Sequence, residues 1–284
     1  MSTLSALAPD AEKMSYTLGF AWKYLVRKMK RSRSGLWLPQ EIVDHIVDHI
    51  WDDRPALLVC IHLSRAWYLA ARPHLYRTFT ASDPARFKTV DSLRKIGVIH
   101  IVRKIFVIQK EGQEDFVLPP KALARLNAFT HLQELELTFI DVGKLVLGLH
   151  DHCDVLRSNV RTLVLECTTG SVKRIICFIN LFFNLENLTV NHINKVATDD
   201  SELPVIKNSP PLTGKLSLFA FLDQEFTHEL ASMPNGIKFH TVDLRLCREV
   251  QEILDGCAGS MNQLVWHDFD PLGAQDSTLH RGGF

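Results

Sequence analysis

The sequence predicts an α/β protein, α+β taken over the whole chain, in which a small helical module precedes a repeating region built on a parallel sheet. Three observations carry that expectation. An aliphatic stripe at helical spacing follows Leu38, short aliphatic triplets recur from Val102 onward, and the stretches between triplets keep partial helical periodicity.

At 284 residues the chain is long enough for one large domain or two ordinary ones. Lys plus Arg equals Asp plus Glu at 32 each, so no global field drives the chain onto nucleic acid or an anionic membrane, and neither is expected as a partner. Cys60, Cys153, Cys167, Cys177, Cys247 and Cys257 lie far apart, with no CxxC pair and no apparent signal peptide. That spacing argues against a disulfide scaffold or zinc module and predicts a reducing compartment, cytoplasmic or nuclear. The apolar stretch Ile176 to Leu188 is interrupted by Asn180, Asn184 and Glu186, and Leu145 to Leu149 is far short of the about 20 residues a spanning helix needs. No transmembrane segment is expected.

Residues 1–35 read as a basic, poorly ordered tail whose stretch Tyr16 to Arg33 runs into Lys28, Lys30, Arg31 and Arg33. The character changes at Leu38. Pro39 stands at or near a first helical turn with Glu41 behind it, as helix starts favour. Ile42, Ile46 and Ile50, with Val43 and Val47, recur three and four residues apart, so one side of Pro39 to Ile50 is aliphatic. The run Asp52-Asp53-Arg54-Pro55 predicts a turn into a second helical stretch, Ala56 to Ala70. Pro73 is then expected to interrupt a third short segment, with Leu75 to Phe79 turning extended. Three short helices cannot bury this much apolar surface among themselves, which implies a partner.

The order and spacing of Leu38-Pro39-Gln40-Glu41-Ile42, Asp52-Asp53, the Leu57 to Cys60 helix, Arg65-Ala66-Trp67 and Ala70-Ala71-Arg72-Pro73-His74-Leu75-Tyr76 resemble an F-box. The resemblance covers Leu38 to Thr78 and sets the module at residues 36–80. It implies docking onto the Skp-type adaptor of a Skp-cullin-F-box ubiquitin ligase, and through it a cullin. Leu38, Pro39, Ile42, Ile46, Leu57, Leu58 and Trp67 match the adaptor-binding positions. An uncovered aliphatic ridge on a small module independently calls for a groove on another protein.

Residues 81–270 carry the pattern apolar-xx-apolar-x-apolar. It occurs at Val102/Ile105/Val107, Leu132/Leu135/Leu137, Val160/Leu163/Leu165, Leu185/Leu188/Val190 and Phe239/Val242/Leu244, and more weakly at Leu212/Leu216/Leu218 and Met261/Leu264/Trp266. Successive middle residues are 30, 28, 25, 28, 26 and 22 apart. This resembles an irregular leucine-rich repeat, whose units run about 20 to 29 residues and bury their apolar faces only by stacking. Helical connections are expected at Pro120 to Phe129, Val142 to Leu156, Ser171 to Phe183, Gln224 to Ser232 and Arg248 to Asp255, and a loop at Asn191 to Pro211. In such a solenoid the intervening positions Glu134, Glu136, Thr162, Val164, Asn187, Thr189, Ser217, Asp243 and Val265 point outward on a concave face, where a protein target is expected. The turn Asn or Cys of regular repeats occurs only as Cys247, so the solenoid should be irregular, and a compact α/β domain is the other reading. Residues 271–284 form a C-terminal tail without a polar cap.

No chemistry-bearing motif stands out. His45 and His49 lack the HExxH context of a metal pair, His150-Asp151-His152-Cys153 reads as a solvated loop, and GxSxG, GxGxxG and a complete phosphate-binding loop are missing. The expectation is a substrate-recruiting adaptor with no catalytic residue, cofactor or metal. The alternative is a repeat scaffold outside any ligase, its helical module capping the repeats.

Overall fold

The computed structural model describes residues 38–109, 120–196, 203, 210–219, 224–233, 235–245 and 250–267. Both terminal tails, and most of the loop expected at Asn191 to Pro211, lie outside the described residues. The chain divides into two compact units, Met1–Arg72 and Pro73–Phe284.

Among the described residues the first unit opens on α1 (Gln40–His49) and α2 (Arg54–Cys60), and α3 (Arg65–Tyr76) follows. Pro39 is the N-cap of α1; its fixed φ suits a helix start and its carbonyl accepts the Ile42 and Val43 N–H groups at 3.1 and 3.2 Å. Asp53 caps α2, accepting the Ala56 N–H at 2.9 Å. The stretch expected as one helix over Ala56 to Ala70 is instead broken at residues 61–64, where His62 and Leu63 donate to the Val59 and Cys60 carbonyls at 3.0 Å. Those three-residue bonds tighten the end of α2, and the β-branched pair Val59 and Ile61 gives the helix little reason to continue. Pro73 also departs from expectation: it lies inside α3, which continues to Tyr76, and extended structure starts only at Thr78. A proline there forfeits one bond, to the carbonyl of the exposed Leu69, and only three helical residues follow it.

The second unit alternates strands and helices. Its first half runs β1 (Thr78–Ala81), a 3-10 turn (Pro84–Lys88), α4 (Thr89–Lys95), a second 3-10 turn (Ile99–Ile101), β2 (Lys104–Ile108), α5 (Pro120–Leu126), β3 (Glu134–Thr138), α6 (Val142–His152) and α7 (Asp154–Asn159). Then come β4 (Thr162–Gly170), α8 (Val172–Asn180), β5 (Asn187–Lys195), β6 (Leu212–Phe219), α9 (Gln224–Ala231), β7 (Ile237–Arg245), α10 (Gln251–Cys257) and β8 (Gln263–His267). Helices α6 and α8 start at side-chain caps: Asp141 accepts the Lys144 N–H at 3.3 Å and Ser171 the Arg174 N–H at 3.2 Å.

The eight strands among the described residues form one sheet in chain order, every neighbouring pair parallel. The aliphatic triplets set its register. Ile105, Leu135, Leu163, Leu188, Leu216, Val242 and Leu264 are successive cross-strand partners, and Val107, Leu137, Leu165, Val190, Leu218, Leu244 and Trp266 form a second such row. A one-residue slip in any strand would move these residues to the opposite face, so burial fixes the pairing. The rows pack with Leu145, Leu149, Ile175, Phe178, Phe226, Leu230 and Ile253 of the helices in one apolar core. An eighth triplet, Tyr76/Phe79/Ala81, feeds β1 and heads both rows through Phe79 and Ala81.

Regular repeats would close each strand with a side-chain ladder, and here two other devices satisfy the backbone. Phe139, Cys167 and His192 have φ of 58°, 49° and 56°, each one residue past the register partners Thr138, Glu166 and Asn191. A left-handed residue there shifts the in-out alternation, so Ile140 and Thr168 turn inward, and pairing resumes: Thr169 donates to the Ile140 carbonyl at 2.9 Å. Asparagines act ahead of the strands. Asn159 donates to the Thr130 carbonyl at 2.8 Å and Asn184 to the Ser158 carbonyl at 2.6 Å, each reaching back to the segment before the preceding strand.

The inward turn leaves the Thr168 hydroxyl fully buried with no hydrogen-bond partner among the described residues. Replacing it with the near-isosteric valine removes that desolvated group, so Thr168→Val is expected to raise stability by about 1 kcal/mol in urea unfolding.

Candidate functional site

Two surfaces carry the sequence-predicted site residues, one on each unit. On α1, Val43 and Val47 are buried, while Ile42, on the adjoining face, is 47% exposed and Ile46 is half-buried. Adjacent residues on α2 divide in the same way: Leu57 is 2% exposed and Leu58 45%. Successive helical residues point about 100° apart, so a short helix presents one of two neighbouring leucines and buries the other. Pro39 is exposed and Leu38 half-buried, whereas Trp67 is 7% exposed. Of the seven positions expected to meet an adaptor, Leu57 and Trp67 are thus interior, and Leu38, Pro39, Ile42, Ile46 and Leu58 retain accessible surface. The sequence reading overlooked Trp51, Tyr68 and Leu69, which are also exposed and apolar. Large apolar side chains held outward this densely on so few residues are uncommon on a surface with no partner.

The second surface is the sheet face opposite the helices, where the strand residues between the apolar rows alternate outward. One register row reads Lys104, Glu134, Thr162, Asn187, Lys215, Thr241 and Gln263. The next reads Phe106, Glu136, Val164, Thr189, Ser217, Asp243 and Val265, and a third Ile108, Thr138, Glu166, Asn191, Phe219, Arg245 and His267. Glu134, Glu136, Thr162, Val164, Asn187, Thr189 and Val265 are half-buried there, and Ser217 and Asp243 are buried. Lys104, Lys215, Glu166, Arg245 and His267 belong to the same face and were passed over, although Lys104 and Lys215 occupy the same place before the middle apolar residue as Glu134.

Side chains on this face pair across strands. Lys104 Nζ sits 2.7 Å from Glu134 and 2.6 Å from Glu136. Burial works to lower the Lys104 pKa, but the hydrogen bonds and charges of these two glutamates outweigh it and leave the value raised. At the far end the buried Asp243 carboxylate faces three bases: Arg245 Nε at 3.4 Å, His267 Nε2 at 3.5 Å and Lys215 Nζ at 3.8 Å. Arg245 in turn lies over the Phe219 ring, 4.9 Å from its centroid. Between the poles, Asn187 donates to the Thr162 hydroxyl at 3.2 Å.

The other chemistry-bearing clusters are plain surface or core. His45 and His49 meet edge-on, ring centroids 4.8 Å apart, and no group of three His, Cys, Asp or Glu among the described residues is arranged to hold a metal. His150 and Asp151 bond to each other at 2.9 Å in the last turn of α6, not in a loop, and Cys153 is buried, its thiol donating to the Leu123 carbonyl at 3.2 Å. Burial, with Asp154 nearby, pushes the Cys153 thiol up to about 12; burial raises Cys177 to about 11, and burial with Asp53 raises Cys60 to about 11. None of these three is a thiolate at neutral pH, as a cysteine nucleophile must be. No helix among the described residues is long and apolar enough to cross a membrane.

No family model matches this chain, and neither a curated protein nor a solved structure does.

Proposed function

We propose that the first unit is an F-box that docks onto a Skp-type adaptor, and that the second is an irregular leucine-rich-repeat-like solenoid that holds a protein target for ubiquitylation. The observation that carries this reading is the outward aliphatic pair Ile42 and Leu58 on helices whose own buried positions, Val43, Val47, Leu57 and Cys60, are already filled. Exposed apolar surface of this kind is stabilised by a partner's groove, at about 25 cal/mol per Å² removed from water. The family resemblance of Leu38 to Thr78 supplies the identity of that partner. Sequential parallel pairing of strands set 22 to 30 residues apart supports the solenoid, each unit burying its aliphatic row only against its neighbours. The mechanism is proximity: the adaptor and cullin bring a ligase's catalytic subunit near a target held by this chain, raising its effective concentration without any bond-making residue here. A reducing cytoplasmic or nuclear location fits this role and the five free cysteines among the described residues.

Co-expression with a Skp-type adaptor tests the reading. The wild-type chain is expected to co-purify with it. The double variant Ile42→Asp, Leu58→Asp is expected to lose at least about tenfold in affinity, because each carboxylate would be buried without a partner. Both side chains face outward, so the variant should keep the wild-type circular dichroism and melting curve. Failure of the wild-type chain to co-purify, or full retention by a folded variant, sinks the ligase reading.

A further inference from the structure

The outward face of the sheet is electrically divided. Strands β3 and β4 carry Glu134, Glu136 and Glu166, the first two paired with Lys104 of β2; strands β6 to β8 bring Lys215, Arg245 and His267 together against the Asp243 carboxylate. Between them β5 supplies Asn187, Thr189 and Asn191, flanked by Thr162 of β4 and Ser217 of β6, none of which carries charge. Nothing in the core demands this arrangement, because the helices cover the other face. The charged groups remain within reach of solvent: the Glu134 side chain is 34% exposed and that of Lys215 49%.

We infer that this face docks an extended peptide segment carrying one basic and one acidic side chain about five residues apart, the base over β3 and β4 and the acid over β6 to β8. The inference rests on the target-holding role proposed above and specifies its ligand. Geometry sets the spacing. Parallel strands lie about 4.8 Å apart and the centres of the two poles are about three and a half strand spacings apart, so about 17 Å separates them, which an extended chain covers in about five residues. Laid across the strands, such a segment would place its polar backbone over Thr162, Asn187, Thr189 and Ser217, which can both donate and accept hydrogen bonds. Wrong-way binding sets like charges together at both ends, so the two poles fix the direction of the peptide as well as its composition.

The test is to pan a random decapeptide display library on the full-length protein, at low and at high salt, without any adaptor present. Enriched peptides should share a Lys or Arg and an Asp or Glu at a spacing of about five, in one order only, and enrichment should fall at high salt. Glu134→Lys with Glu136→Lys should erase the basic preference and keep the acidic one; Lys215→Glu should do the reverse and cost a selected peptide about tenfold or more in affinity. The neutral variants Glu136→Gln and Lys215→Gln, which avoid new repulsion within the sheet, should each weaken it by a smaller factor. The inference is overturned if no peptide is enriched, if enriched peptides carry charges of one sign only, or if the preference is the same on wild type and variants. Loss of adaptor co-purification with this selectivity intact would overturn only the ligase role; the converse result would overturn only the docking mode.

Discussion

Gly214→Ala is expected to be the most damaging single-methyl change in the second unit, costing about 3 kcal/mol or more. Two effects combine. Gly214 has φ +86°, a conformation an alanine adopts only with strain, and a Cβ built there would stand 1.9 Å from the Glu186 carbonyl oxygen. That oxygen cannot retreat, because it accepts the Lys215 N–H at 2.7 Å and is part of the β5 to β6 ladder. The register of β6 against β7 also shifts between Gly214 and Lys215, where His240 of β7 is the extra residue, so the glycine sits opposite a bulge. Gly236 is the control: its φ is +71° but nothing lies within 4 Å of a Cβ there, so Gly236→Ala should cost only the conformational part, about 1 kcal/mol. Urea unfolding of the two variants measures the difference, and equal midpoints would mean that the Glu186 approach contributes nothing.

Much of this sheet was legible because its register is written in residue type. Seven triplets read from spacing alone fall on two unbroken cross-strand rows, since only an aliphatic side chain is stable at positions 0 to 3% exposed such as Ile105, Leu135 and Leu188. The helical connections were legible for the same reason. What escaped the sequence was set by backbone rather than by hydrophobicity. Phe139, Cys167 and His192 share a left-handed conformation that their side chains do not advertise, and it shifts the in-out alternation so that Ile140 and Thr168 turn inward. The asparagines that tie successive strand segments together, Asn159 and Asn184, precede their strands, where no regular pattern directs attention.

The functional surfaces were legible in part. Both Leu57 and Leu58 look available to a partner on paper, and only the rotation of a two-turn helix decides which one is outward. The strand positions between the apolar rows could be named from sequence, but their charge division could not, because Lys104 and Glu134 are 30 residues apart and meet only through β-pairing.

Phe178→Ala is expected to cost about 3 to 5 kcal/mol, the range for deleting a fully buried aromatic ring where the surroundings collapse only partially. Phe178 lies in the last turns of α8, 0% exposed, in the same core as the rows of β4 and β5. Its ring stands edge-on to Phe182, centroids 5.4 Å apart at 72°, a geometry that sets the positive edge of one ring against the negative face of the other. That contact should be worth about 0.5 to 1.5 kcal/mol beyond burial, and a double-mutant cycle with Phe182→Ala isolates it. If the two losses simply add, the rings stabilise the core as bulk alone. If they couple, the turn after α8 is held by ring orientation as well as by the Leu181 and Phe182 N–H groups, which donate to Phe178 and Ile179 at 3.1 and 3.2 Å. A coupled result also predicts that Phe178→Leu, which restores most of the volume without a ring, still loses the pair term while recovering most of the cavity cost.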